Sequence, residues 1–544
     1  MSNKTPKFRY IGQPQVRTED ARLLRGQGQF TDDFDAPGQA WLAVVRSPYA
    51  HARILGIDSG AAEAMPGVLA VLTGEDAAAQ GLGAIDHNPL PKTRYDMKLR
   101  GAGDTDVFVG PHVILPRDKA RHVGEAIALV VADSREQALD AAEVVEVTFE
   151  ELEPVLGTGD VANSRSGSVW EEVPDNVYVD TSFGDRDATD AAFSAAAHVV
   201  SADYEIQRVT GVPLEPRAAL GEYDSASGRY TLYAGSGGAV KQKREVAGVL
   251  GVDAEQVRVL SYDVGGNFGT RNRTYVEFVA VLWASRVVGR PVKFTATRSE
   301  SFLSDYQGRD FVSRVSLALD ADGQFLGMRA DNVSNGGARC VSLSPLGKGS
   351  ALITGSYDIP VAHLRSRAVF TNTTPTQAYR SSGRPEVTFV IERLVEKAAA
   401  ELGVDALELK RKNLVAPVQM PYTNAVGARY DSGDYQACMD EILEVVDWQG
   451  FEGRRKDAEL RGRLLGRGFA NYVESSIGAP KERADITATA DERIVVVIGT
   501  QPSGQGHETS FAQVAADLLS VDYERIQVVY SDTDIVSLGG GSHS

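Results

Sequence analysis

The chain has 544 residues, 43% of them hydrophobic and 24% charged, so it is long enough for roughly three or four domains and has the balance of an ordinary globular protein. Its formal net charge of -18 argues against a large nucleic-acid surface, which needs clustered Lys and Arg. Its two cysteines, Cys340 and Cys438, exclude a disulfide framework, a four-cysteine zinc site and an iron–sulfur cluster held by this chain alone.

From the N-terminus, Met1 to Gln13 is polar and lacks the apolar core of a signal peptide, and the longest apolar runs, such as Ala126 to Ala132, are of strand length. A cytoplasmic chain without a membrane span is expected. Arg17 to about Val155 mixes short strands and helices and closes on a helix over Ser134 to Val145, whose small apolar residues recur at three and four, which predicts a first α+β domain over 15–155. Residues 156–195 read as a crossing linker, because Leu156 to Asp190 is rich in Gly, Ser, Asp and Asn. A larger mixed domain follows over 196–415. Its last helix, Val387 to Leu402, places Val387, Val390, Ile391, Leu394 and Ala398 on one face and stops at Gly403. The remaining residues, 416–544, belong to a third domain whose elements begin near Arg463, after a polar stretch with Pro417 and Pro421.

Two strand–glycine–helix units stand out. In the first, Val257 to Val264 reads as a strand, Gly265-Gly266-Asn267-Phe268-Gly269 as a loop and Tyr275 to Val288 as a helix. In the second, the strand-like run Arg493 to Thr500 is followed by Gln501-Pro502-Ser503-Gly504-Gln505-Gly506-His507-Glu508 and a helix to Leu519, with Gly539-Gly540-Gly541 further on. Backbone N–H groups at such helix starts can cradle an anion, and two such units could face one extended, phosphate-bearing ligand. A tight strand-to-helix turn with no ligand has the same local sequence.

Ala378-Tyr379-Arg380-Ser381-Ser382-Gly383-Arg384-Pro385-Glu386 and Pro213-Leu214-Glu215-Pro216-Arg217 are further candidates, each pairing charge with residues that force loop geometry. Arg380 could fork onto a phosphate or other oxyanion, or bridge domains as an ion pair. Glu386 opens a helix and reads as a dipole partner rather than a base, and Glu215 as a buried structural carboxylate. Gly347-Lys348-Gly349-Ser350 lacks the spacing of a phosphate-binding loop, and Gly265 to Gly269 is not the Gly-x-Gly-x-x-Gly of a nicotinamide dinucleotide site. The eight histidines show no pair at ligand spacing, so no metal is expected to be held directly by protein side chains.

Taken in order, these pieces resemble the molybdopterin-binding large subunit of the xanthine dehydrogenase and aldehyde oxidase family, including its carbon monoxide dehydrogenase-like members. The matching residues are Arg17 to Gly28, Val44 to Ala52, Val123-Gly124-Glu125 to Pro154, Leu214-Glu215-Pro216, Gly265 to Gly269, Ala378 to Glu386, and Gly504-Gln505-Gly506 with Asp532-Thr533-Asp534. The resemblance implies an α+β multidomain fold: an α/β hammerhead domain followed by two molybdopterin-binding mixed α/β domains, the second truncated.

It also implies that Gly266, Phe268, Gly269, Arg380, Gly504, Gln505 and Gly506 approach molybdopterin carrying molybdenum, as its cytosine dinucleotide. The implied chemistry is hydroxylation of an aldehyde or N-heterocycle with water as oxygen source, using a glutamate base expected beyond residue 544. The implied partners are a small 2Fe-2S subunit and a medium FAD subunit, in a dimer of heterotrimers. Carbon monoxide dehydrogenases carry a copper-bridging cysteine where this chain has Ser381, a donor that soft copper does not favour, so carbon monoxide is not the expected substrate. An alternative is a non-catalytic cofactor-holding scaffold or an inactive truncated subunit.

Overall fold

The computed structural model describes residues 8–90, 96–161, 167–474 and 482–542. Its first core is a seven-stranded sheet in the order Val257–Leu260, Arg229–Ala234, Ala218–Asp224, Val292–Thr295, Ala40–Arg46, Ala126–Ala132 and Val68–Thr73. Ala126–Ala132 is buried at every residue, which explains its unbroken apolar run: such a strand has both faces covered. The helix Arg135–Glu143 packs near it, its N-terminus closed by Ser134 Oγ accepting from the Gln137 amide at 3.2 Å. The helix Val276–Val288 is buried from Glu277 to Ser285 and ends at Gly289, in the left-handed region.

This sheet crosses the boundary expected between the first two domains. Ala40 and Trp41 pair in parallel with Val292 and Lys293, so strands from the N-terminal region and from the larger mixed domain form one surface. Charge fastens the same seam. Arg46 donates to Glu277 at 2.7 Å and to Glu300 at 2.9 Å, Arg217 donates to Glu277 at 2.8 Å and to Asp305, and Arg339 reaches Glu125. Arg217 also lies 4.2 Å from the centre of the Tyr275 ring.

The second core surrounds a five-stranded sheet in the order Val177–Gly184, Ala362–Phe370, Phe325–Gly337, Gln307–Leu319 and His198–Thr210. The helix Arg384–Leu402 packs on it through Val387, Val390, Ile391, Leu394 and Ala398, the face expected from spacing, and stops at Gly403 with φ 68°. Here the expected linker over 156–195 is corrected. It contains a strand, Val177–Gly184, paired with Ala362–Phe370, and a helix, Arg186–Ala195, so the Gly- and Asp-rich flanks conceal a sheet-edge element. The hairpin Tyr422–Thr423 with Arg429–Tyr430 packs into the same core, which therefore runs past residue 415.

A three-stranded sheet, Ala484–Ala488, Ile494–Ile498 and Ile526–Val529, carries the helix His507–Leu519. The N-terminal segment straps across this helix. The Asp517 carboxylate accepts the amides of Arg9, Tyr10 and Ile11 at 2.9, 2.9 and 2.7 Å, and Thr509 Oγ1 accepts the Thr18 amide at 2.8 Å and donates to Glu19 at 2.6 Å. Among the described residues no helix is long and apolar enough to cross a membrane.

Candidate functional site

Both glycine units form at the expected places, and a third lies between them. The Gly265–Gly269 loop joins the strand Val257–Leu260 to the helix Val276–Val288, and the Gln501–Gly506 loop joins Ile494–Ile498 to His507–Leu519. Between them lies Gly235-Ser236-Gly237-Gly238, which joins the strand Arg229–Ala234 to the helix Ala239–Leu250. That segment repeats the strand–glycine–helix pattern, and the same signal could have found it.

The loops are knit into one strip of backbone. On one side, the Arg380 amide donates to the Phe268 carbonyl at 2.8 Å, and a Cβ on Gly269 would strike the Ala378 carbonyl oxygen. On the other, the Gly237 amide donates to the Arg271 carbonyl at 2.9 Å, and a side chain on Gly237 would meet Asn267 and Asn272. Ser542 in turn donates its amide to the Gly237 carbonyl at 2.5 Å, and Gln505 Nε2 donates to Ser542 Oγ at 2.8 Å. The order across the strip is thus 378–382, 265–272, 235–238, 541–542 and 503–506.

Glycine is needed here for two different reasons. Gly266, Gly269, Gly504 and Gly506 have φ of 107, 96, 116 and 81°, a region that side chains rarely adopt, and Phe268 also sits there at 52°. Gly269 is in addition crowded by the Arg380 loop, whereas a Cβ on Gly504 would meet nothing within 4 Å. Among the described residues, the amides of Gly266, Asn267 and Phe268, and those of Gly504, Gln505 and Gly506, donate to no protein acceptor. Successive unpaired amides in this conformation form a concavity suited to an anion. Arg380 adds an exposed guanidinium with no protein partner among the described residues, and Phe268 adds an exposed ring. These features fit an extended polyanionic ligand.

The carboxylates near the strip hold it in place. Glu215 Oε2 accepts the Gly265 amide at 2.8 Å and Arg271 Nη1 at 3.0 Å, and its Oε1 accepts the Thr31 amide at 3.2 Å, so this buried side chain is structural. Glu386 sits in the first turn of its helix as expected but has a closer role: Arg309 pairs with it at 3.1 Å. Burial pushes the Glu386 carboxyl up, against the pull of Arg309. From that anchor Arg309 donates to the carbonyls of Tyr379 at 3.2 Å and Arg380 at 2.8 Å, so the backbone is braced while the Arg380 side chain stays free. Arg309→Met should leave the buried Glu386 unpaired and lower stability by roughly 3 kcal/mol, read as a denaturant midpoint shift at constant slope.

Gln505 is held by its neighbours, its Oε1 accepting the Ser503 amide at 2.6 Å. Gly347-Lys348-Gly349-Ser350 lies inside the helix Ser344–Ala351, with Lys348 paired to Asp96 at 2.8 Å, away from any phosphate-loop geometry. Among the described residues no group of three or more His, Cys, Asp or Glu side chains is arranged to hold a metal ion.

Comparison with known proteins gives these loops a setting. Residues 25–153 match the aldehyde oxidase and xanthine dehydrogenase a/b hammerhead domain, and residues 169–414 and 441–544 match molybdopterin cofactor-binding domains. The chain is 33% identical to the 6-hydroxypseudooxynicotine dehydrogenase complex subunit gamma of Paenarthrobacter nicotinovorans, over 98% of this chain and 66% of that protein. It is 34% identical to the carbon monoxide dehydrogenase large chain of Hydrogenophaga pseudoflava, over 96% of this chain and 67% of that protein. Among solved structures, quinoline 2-oxidoreductase from Pseudomonas putida 86 superposes with a TM-score of 0.89 at 30% identity, covering 99% of this chain and 68% of that one. The chain thus spans about two thirds of the length of the curated relatives it matches.

Proposed function

Because this chain belongs to the molybdopterin-binding large-subunit family of xanthine dehydrogenases and aldehyde oxidases, we propose that it is the cofactor-holding subunit of a molybdenum hydroxylase. The substrate class is an aldehyde or N-heterocycle, oxidised with water as oxygen source. The observation that carries this reading is the single strip of glycine backbone with amides on both sides, and Arg380 beside it, that have no protein partner among the described residues. When bound, the cofactor supplies a redox-active molybdenum that takes two electrons from the substrate.

This chain's residues bind and orient. The amides of Gly266 to Phe268 and of Gly504 to Gly506 would donate to the oxygens of the cofactor, for which molybdopterin cytosine dinucleotide is the proposed form. Arg380 neutralises part of the charge with planar, bidentate donors. Gln505 presents its amide from a position fixed by Ser503 and Ser542. Ser381 offers a hard hydroxyl rather than a soft ligand, which favours a heterocycle or aldehyde over carbon monoxide; the similarity to a quinoline oxidoreductase supports the heterocycle.

The electron-transfer partners belong to the proposal through the family likeness: a small 2Fe-2S subunit and a medium FAD subunit, in a dimer of cytoplasmic heterotrimers, a reading supported by relatives named as a subunit gamma and a large chain. The reading is tested by supplying the remaining segment of a full-length relative together with these partners and measuring dye-linked oxidation of quinoline-type heterocycles and aldehydes. A molybdenum-loaded, sulfurated complex that stays silent would sink it. Arg380→Ala and Gln505→Ala should each lower bound molybdenum several-fold at an unchanged melting temperature, because both side chains are exposed on loops.

A further inference from the structure

Arg22 stands between the outer two glycine loops without belonging to either. Its Nη2 donates to Asp263 Oδ1 at 2.6 Å and to Glu508 Oε1 at 2.7 Å, and its Nη1 donates to Glu508 Oε2 at 2.8 Å. Asp263 lies just before Gly265, at the mouth of the first loop, and Glu508 just after Gly506, in the first turn of the helix that leaves the second. Each carboxylate is anchored on its own side. Asp263 Oδ2 accepts the Gln29 amide at 2.9 Å, and Glu508 Oε1 accepts the Tyr530 hydroxyl.

We propose that Arg22 is the positioning residue that sets the spacing between these two glycine loops, and with it the length of polyanionic ligand the strip accepts. This rests on the reading of both loops as one cofactor cradle. The argument is electrostatic. Asp263 and Glu508 reach the same nitrogen, so removing the guanidinium leaves two partly buried like charges facing each other across the seam, and the loops are driven apart rather than merely loosened. A guanidinium suits the position because its planar fork grips Glu508 through Nη1 and Nη2 and Asp263 through Nη2 and Nε, which an ammonium does not reproduce. Arg22 acts through Asp263 and Glu508 and is placed in contact with no ligand.

The test is hydrogen exchange on the full chain, with bound pterin and molybdenum measured on the same samples. The variants are Arg22→Met, Arg22→Lys and the neutralised triple Arg22→Met/Asp263→Asn/Glu508→Gln. In Arg22→Met, the hydrogen-bonded amides of Gly265, Gly269 and Ser510 should exchange roughly tenfold faster, while the helix Arg384–Leu402 keeps its protection and bound pterin falls. The triple variant should regain slow exchange although it has lost every one of these ion pairs, an outcome that a purely structural salt bridge would not produce. Arg22→Lys should fall between, and carries the comparison if Arg22→Met does not fold. Loops equally protected in Arg22→Met and the parent, or a triple variant no slower than Arg22→Met, would overturn the proposal. A parent chain that shows the exchange pattern yet binds no pterin would keep Arg22 as the spacing residue and sink the cofactor reading instead.

Discussion

Gly269→Ala is expected to strip the chain of its cofactor and to lower its stability by roughly 2–6 kcal/mol, the sum of left-handed backbone strain and overpacking. Both costs arise at one point. The residue sits at φ 96°, and its added methyl would press on the Ala378 carbonyl, which belongs to the segment that presents Arg380. The backbone cannot rotate away, because the Arg380 amide is tied to the Phe268 carbonyl at 2.8 Å. Gly504→Ala provides the contrast, since φ is 116° but the space around a Cβ is open, so only the conformational cost of about 1–3 kcal/mol remains. Denaturant midpoints and molybdenum content of the two variants check this. A Gly269→Ala chain that is stable and loaded would show that the two loops do not pack as described.

The second large effect is expected at Arg217. This arginine is 1% exposed and faces Glu277 and Asp305, each 3% exposed, so Arg217→Met leaves two carboxylates buried with one cation fewer and should cost roughly 3–5 kcal/mol. The same cluster sets an acid limit on the fold. Burial opposes ionisation of Glu277, but Arg217 and Arg46 overcome it and hold the carboxyl at about 2; Arg339 does the same for Glu125, also at about 2. A carboxyl held below its ordinary value of 4.5 contributes stability above that value and loses it as the pH falls toward about 2. Unfolding free energy should therefore decline steadily between those limits. In Arg217→Met, where Glu277 keeps only Arg46, its carboxyl should lie closer to 4.5, so its share of the decline should be smaller and should end at a higher pH. A variant whose acid profile overlays the parent's would contradict the assignment.

How far the sequence could be read depended on how local each feature is. The strand, glycine loop and helix of each outer unit are contiguous, and the apolar face of Val387 to Leu402 repeats at helical spacing, so both were legible. Glu215 was legible as a structural carboxylate because Pro216 and its apolar neighbours fix its surroundings, although its partners, the Gly265 amide and Arg271, were not. The strand Val177–Gly184 was missed because its second half, Asp180 to Gly184, is polar apart from Phe183 and lies at the sheet edge, leaving the composition of a linker. The pairing of Ala40 with Val292, the brace from Arg309 to the Arg380 backbone and the fork of Arg22 join residues far apart in the chain. No periodicity encodes such meetings; they follow from how the sheets stack.

The N-terminal strap carries a consequence for the order in which the molecule assembles. Its bonds link Arg9 to Asp517 across 508 positions, so closing that contact in an unstructured chain would cost the closure of a loop nearly as long as the chain. The cost falls once the two large sheets have condensed and brought the ends near each other. Docking of the strap is therefore a late event, and the second glycine loop, which the strap touches at Gly504 through Arg17, is among the last parts to become rigid. Until that moment the Gln501–Gly506 loop lacks its tie to Arg17, so its rigidity is set by the far end of the chain rather than by its own strand and helix.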